Sequence, residues 1–149
     1  MIYGAGRIGV AVAAHLVRQH IIVRLIESDR ERARLVAEKL PEVRIFNATG
    51  VDPDFLERER IGQARAAIFA MHDDAKNHYA ATLAKLHGVG FTIAVVHEAI
   101  SAKVFERAGI DVAVNPRQLT AEELVSLRAR SAHAAGRDAQ GRPLRGAST

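Results

Sequence analysis

Ile2-Tyr3-Gly4-Ala5-Gly6-Arg7-Ile8-Gly9 stands at the beginning of this 149-residue chain, and it reads as a buried strand, a glycine turn and the start of an apolar-faced helix. The spacing is G-x-G-x-x-G. Gly4 permits a tight turn, Gly6 lets backbone come close to a pyrophosphate, and Gly9 lets helix and strand pack together. The helix start supplies N–H groups for phosphate. Eighteen residues beyond Gly9, the apolar run Ile21-Ile22-Val23-Arg24-Leu25-Ile26 ends in Glu27, a carboxylate placed to accept hydrogen bonds from an adenosine ribose and to repel a 2′-phosphate. Strand, turn, helix, strand and acid in this order are more specific than the glycines alone.

Working outward, apolar periodicity predicts a helix over 8–20, a strand over 21–27, a helix opened by Ser28-Asp29 and stopped at Pro41, and a strand over 43–46. Asn47-Ala48-Thr49-Gly50 is a turn. Pro53 suits the first turn of a short helix reaching about residue 60. The apolar run 66–71 predicts a strand covered on both faces, as parallel sheets require. Further elements follow: a helix over 75–86, a strand over 91–96, a helix over 98–107 and a strand over 110–114. Thr120-Ala121-Glu122-Glu123 reads as a capping box for a last helix to about 130. Six strands alternating with helices predict an α/β fold, a Rossmann-like doubly wound parallel sheet of order 3-2-1-4-5-6.

The length suits one domain, expected over 1–131 with a disordered basic tail over 132–149. There are no cysteines and no apolar run near the roughly 20 residues of a membrane span, so a soluble, cytoplasmic protein is expected. No signal peptide precedes the glycine turn. The first strand is unusually brief for a central one, as if the chain were cut from a longer polypeptide or began upstream. The net charge of +4 resembles a nucleic-acid signature until it is located. Arg128, Arg130, Arg137, Arg142 and Arg145 against Asp138 account for all of it, leaving residues 1–127 neutral. No nucleic-acid partner is expected.

The histidines do not form a metal set. His15, His20, His87 and His133 fall on helix faces, helix ends or the tail, with no ligand spacing to a carboxylate. His72 and His97 follow strand ends and so face the cleft, where they would tune ligand binding. No histidine–carboxylate arrangement is identifiable. Asp73-Asp74 admits a divalent ion beside nucleotide phosphates or a helix cap, and the cap is the expectation.

Gly4–Gly9, Leu25-Ile26-Glu27-Ser28-Asp29-Arg30, Asp73-Asp74-Ala75-Lys76-Asn77, Ala84–Gly88, Phe105–Asp111 and Asn115-Pro116-Arg117 together resemble an RCK N-terminal (TrkA-N, or KTN) domain over about residues 2–128. The resemblance is greatest to the second nucleotide-binding half of Trk-type potassium-uptake peripheral subunits. It implies a non-catalytic domain that binds NAD(H), or ATP/ADP, and gates a membrane potassium transporter or channel from the cytoplasmic face, as a homodimer or within a ring. It further implies that Gly4, Gly6, Arg7, Ile8 and Gly9 contact phosphates, that Glu27 holds the ribose, and that Asp73 and Asn77 lie at the cleft mouth. Where the family commonly has Gly-Asp-Gly or Gly-Asp-Ala after the third strand, this chain has Ala48-Thr49-Gly50, so Thr49 replaces a charged contact near the adenine. The family's smaller C-terminal ligand-binding subdomain has no counterpart after the last helix. The alternative is an NAD(H)-dependent oxidoreductase or its cofactor-binding domain, which would need a substrate wall beyond the six βα units. The apolar Leu124 and Leu127 are candidate dimer contacts.

Overall fold

A computed structural model describes residues 1–117 together with 123, 125 and 126. The elements are β1 (Ile2–Tyr3), α1 (Arg7–Arg18), β2 (Arg24–Glu27), α2 (Arg30–Lys39), β3 (Arg44–Asn47), α3 (Pro53–Arg58), a 3-10 turn (Ile61–Gln63), β4 (Ala67–Phe69), α4 (Asp74–Leu86), β5 (Thr92–Val95), α5 (Ala99–Arg107) and β6 (Val112–Val114). All five strand pairings are parallel, and the order β3-β2-β1-β4-β5-β6 is the one expected.

Alternation along the strands divides the core in two. Ile2, Leu25, Ile68 and Ile93 join Val12 and Ala13 of α1 and Val36 of α2 on one face. Tyr3, Ile26, Phe69 and Ala94 join Phe55 and Leu56 of α3, Ala80, Ala81 and Ala84 of α4 and Phe105 of α5 on the other. The chain thus winds from β1 out to β3 over one face and returns through α3 to β4 over the opposite face. Beyond the carboxyl ends of β1 and β4 the connections diverge, which opens a crevice. Tyr3 and Phe69 stack across that junction with ring centroids 4.5 Å apart.

Two glycines make the junction possible. Gly4 sits at φ +98°, the left-handed region that side chains rarely adopt. A Cβ on Gly9 would lie 1.9 Å from the Gly4 carbonyl oxygen, so α1 can press on the turn only through glycine.

Some boundaries depart from expectation. Strand β2 begins at Arg24, and Ile21 and Ile22 are 46% and 93% exposed in the preceding loop. The helix end explains this: the Ile21 N–H returns to the Leu16 carbonyl and His20 takes φ 60°, so the apolar run is interrupted before it can join the sheet. Strand β6 is likewise shortened to Val112–Val114, because the Ile110 N–H closes α5 on the Phe105 carbonyl. Asp111 leaves the ladder and its carboxylate accepts from the N–H and hydroxyl of Thr92. The tail over 132–149, Leu124 and Leu127 lie outside the described residues, as does most of the last helix; Glu123, Val125 and Ser126 are helical. Among the described residues no helix is long and apolar enough to cross a membrane.

Candidate nucleotide site

Helix α1 begins without a side-chain cap, because its N-cap is Gly6. The first N–H groups of a helix have no intrahelical partner. Here they are presented at the crevice. The turn before them is fixed from below, the Gly4 N–H donating to the Ile26 carbonyl at 2.8 Å.

Glu27 ends β2 with only 6% of its surface exposed, and both carboxylate oxygens are engaged. Oε2 accepts from the Ala5 N–H at 2.7 Å and Oε1 from the Asp29 N–H at 2.9 Å. The Arg32 guanidinium stands 3.8 Å from Oε1. The acid therefore clamps the glycine turn to the start of α2. Asn47 secures the same corner, donating its amide to the carbonyls of Glu27 and Ser28 at 3.0 Å.

Across the crevice, Asp73 caps α4 by accepting from the Lys76 N–H at 3.1 Å, which is the helix-cap role expected for the Asp73-Asp74 pair. Asp74 turns toward the end of β5. Its carboxylate accepts from the N–H groups of His97 and Glu98 and lies 2.8 Å from His97 Nδ1. Burial works to raise the Asp74 pKa, but the hydrogen bonds from the His97 side chain and backbone and from the Glu98 backbone outweigh it and hold the carboxyl below its ordinary value. A histidine–carboxylate pair is thus present where none was identified from sequence. Asp74 and His97 are 23 residues apart and belong to different βα units, so only the fold brings them together.

A cleft of about 550 Å³ lies between these walls, within the usual range for small-molecule sites. Of the sequence candidates, Gly4, Gly6, Glu27, Thr49 and Asp73 line it. Arg7, exposed at the start of α1, and Ile8 and Gly9 behind it are not in the lining; the Ile8 side chain packs into the α1-side core. These three are the first residues of α1. Asn77 is a correction. It is fully buried, its Oδ1 accepting from the Met71 N–H and its Nδ2 donating to the carbonyls of Met71 and Val95, all at 2.9 Å. That spends its acceptor and both donors on the backbone, so Asn77 builds the cleft wall and does not reach the mouth.

Sequence reasoning missed Ser28, Arg32, Lys76 and Tyr79, which also line the cleft. Arg32 lies three residues after the Asp29 cap and Lys76 three after the Asp73 cap, and a side chain one turn into a helix can overhang the cleft at its N-terminus. That spacing was the available signal.

Residues 1–116 match the family model of the TrkA-N domain. The chain is 39% identical over 126 residues to a Trk system potassium uptake protein TrkA homolog of Archaeoglobus fulgidus, covering 85% of this chain and 29% of that protein. It is 33% identical over 125 residues to the Trk system potassium uptake protein TrkA of Haemophilus influenzae, covering 84% and 27%. Among solved structures, the TrkA-N domain of the inner membrane protein ybaL from Escherichia coli matches with TM-score 0.69 at 18% identity, covering 85% of this chain and 93% of that one. The GsuK channel bound to NAD matches with TM-score 0.67 at 21% identity, covering 76% and 20%. At these identities the structural likeness concerns the fold. A parallel doubly wound sheet with a glycine turn and a strand-end acid defines the class of Rossmann-type domains. Within it, the chain belongs to the TrkA-N family. It spans less than a third of the length of the two relatives compared.

Proposed function

We propose that this chain is a non-catalytic regulatory domain that binds NAD(H) or an adenine nucleotide and passes ligand state to a membrane potassium transporter or channel. The observation that carries the reading is the cleft at the sheet's switch point, where Gly6 and the uncapped start of α1 meet Glu27. Phosphates would lie against the helix start and the ribose against Glu27. Thr49, just past β3, lines the cleft and would offer its hydroxyl toward the base in place of the carboxylate common in the family. The relatives named as Trk potassium-uptake proteins support the transport setting, and the GsuK channel structures with NAD and with ADP support the ligand class. The domain would work at the cytoplasmic face as a homodimer or part of a ring. Control would follow from population shift: ligands with different affinities for two cleft geometries bias which one the partner feels.

The test is a thermal-shift panel of NADH, NAD, ATP, ADP and NADPH followed by calorimetry. Stabilisation by at least one, abolished by Gly6→Val, is expected. No shift with any of them would overturn the reading.

A second reading, an NAD(H)-dependent oxidoreductase, draws on the Asp74–His97 pair beside the cleft. Hydride transfer also needs a wall that holds substrate against the nicotinamide. Steady NADH absorbance across a panel of 2-hydroxy acids, aldehydes and ketones favours the regulatory reading. Turnover lost in His97→Gln would favour the enzyme.

A further inference from the structure

His72 follows β4 at the point where the crevice opens, and it lines the cleft opposite the glycine turn. Its position relative to Gly6 is informative. A Cβ built on Gly6 would meet His72 Nε2 at 3.5 Å, the first heavy atom in that direction. The imidazole therefore lies over the backbone that a diphosphate must approach. His72 itself is exposed, and among the described residues it makes no hydrogen bond or ion pair. Its ring neighbour is His97, with centroids 6.1 Å apart and planes tilted by 34°. His97, expected from sequence to face the cleft, has its Nδ1 and backbone N–H held by Asp74 and does not line the cleft.

We infer that His72 is a diphosphate-contacting residue of this chain, closing over the nucleotide from the β4 side and donating to its phosphate oxygens in the protonated state. This rests on the nucleotide-binding reading above and adds to it a residue and a pH dependence. The charged and titratable groups around the imidazole are Arg7 beside Gly6 at the start of α1, Glu27 across the cleft, Asp73, Asp74 and Lys76 on its own connection, and His97 and Glu98 from the β5–α5 connection. Lys76 and Arg7 carry positive charge and Asp73 and Asp74 negative, the Asp74 carboxylate being held by His97 and the Glu98 N–H. A bound diphosphate would bring two negative charges to hydrogen-bond range of the imidazole and so favour its protonated form in the complex. Binding then takes up a proton, so affinity is greatest below the free histidine pKa and falls as pH rises through the value in the complex.

The test is calorimetric titration of NAD at several pH values between 5.5 and 8, in two buffers of different ionisation enthalpy. NAD is the right probe because its diphosphate diester does not titrate in this range. A shift of about one pKa unit corresponds to a tenfold change, so wild-type affinity should weaken about tenfold from pH 5.5 to 8, with proton uptake on binding. His72→Gln keeps a donor but cannot titrate, and should bind with a nearly flat pH profile and no proton uptake. His87→Gln, at the far end of α4, should retain the slope. Adenosine, lacking the diphosphate, should show none.

An unchanged slope in His72→Gln, a slope that disappears in His97→Gln alone, or an equal slope with adenosine would overturn the inference while leaving the nucleotide reading intact. If ADP binds and NAD does not, the wild type and His72→Gln are compared with ADP, whose own ionisation cancels in the difference. Failure of NAD, ADP and ATP alike to bind the wild type would remove the nucleotide reading, and this inference with it.

Discussion

Replacing Glu27 separates two duties of one carboxylate. Its Oε2 holds the Ala5 N–H at 2.7 Å in a buried setting, and its Oε1 holds the more accessible Asp29 N–H at 2.9 Å. Hydrogen bonds to a charged acceptor contribute about 1.5–3 kcal/mol, and a buried donor left without a partner forfeits most of that. The Arg32 guanidinium, 3.8 Å away and about half exposed, adds little. Glu27→Ala should therefore cost about 2–4 kcal/mol, which for a domain of this size lowers Tm by roughly 5–12 °C. Glu27→Gln is the sharper probe. Its single amide oxygen can accept from one N–H while its NH2 faces the other donor, so it should lose between half and all of that stability. Urea titration followed by helical circular dichroism measures both, and the slope m should not change. Once stability is matched by temperature, Glu27→Ala should bind NADH about tenfold more weakly than the wild type, the equivalent of one lost hydrogen bond to the ribose. A stability loss below about 0.5 kcal/mol for Glu27→Ala would refute the clamp. Unchanged NADH affinity would refute the ribose role while leaving the clamp standing.

Gly9→Ala would press a methyl group to 1.9 Å from the Gly4 carbonyl oxygen, and the required displacement of α1 should cost ~3 kcal/mol or more, read as a fall in Tm. Asn77→Ala strands the Met71 N–H and the carbonyls of Met71 and Val95, so a loss of ~3 kcal/mol in urea is expected; a neutral effect would mean that water replaces the amide at no cost. The depressed pKa of Asp74 means that its contribution to stability is fully present above the unfolded carboxyl value near 3.8 and is lost as pH falls through the lower folded value. The stability gap between wild type and Asp74→Asn should thus be present at pH 5 and narrow as pH falls below about 4, and a gap that does not narrow with acidification would refute the assignment. NADPH should bind more weakly than NADH because Glu27 would face the 2′ position in the proposed pose, with Arg32 near enough to moderate the difference; equal affinities would mean that the ribose does not lie against Glu27.

The sheet order was legible because it follows from local facts: six apolar runs, each followed by a helical period, with a glycine turn after the first. Ile21 and Ile22 misled for a physical reason. An apolar run cannot report where a helix ends, and the left-handed His20 placed both side chains in a loop. Glycine turn and strand-end acid were legible as neighbours in one cleft because their spacing along one βαβ unit is set by the unit itself. Asn77 was misplaced although the signal was available, since it shares a helical face with Ala80, Ala81 and Ala84, all fully buried. A resemblance that associates a residue with a site does not say whether its side chain touches ligand or backbone. The Asp74–His97 pair lay beyond sequence reasoning, because the two residues meet only once β4 and β5 are side by side.

The two walls of the cleft are each fastened within themselves. Glu27 binds the β1 turn to the β2–α2 corner and Asn47 binds that corner to the end of β3, while Asn77 and Asp74 bind α4 to the ends of β4 and β5. Between the walls lie the parallel pairing of β1 with β4, two residue pairs long, the stacked rings of Tyr3 and Phe69 beneath the crevice, and the two cores, each of which holds residues of both β2 and β4. A nucleotide laid across the switch point would add contacts between the two walls, and that is where its binding energy would act on geometry. Under the proposed population shift, ligands that reach both walls would favour one spacing of them, and ligands that contact only the glycine turn and Glu27 would leave it unbiased. On that reading, two nucleotides would differ in effect less by how tightly each is held than by whether each touches residues such as His72 and Lys76 on the β4–α4 side.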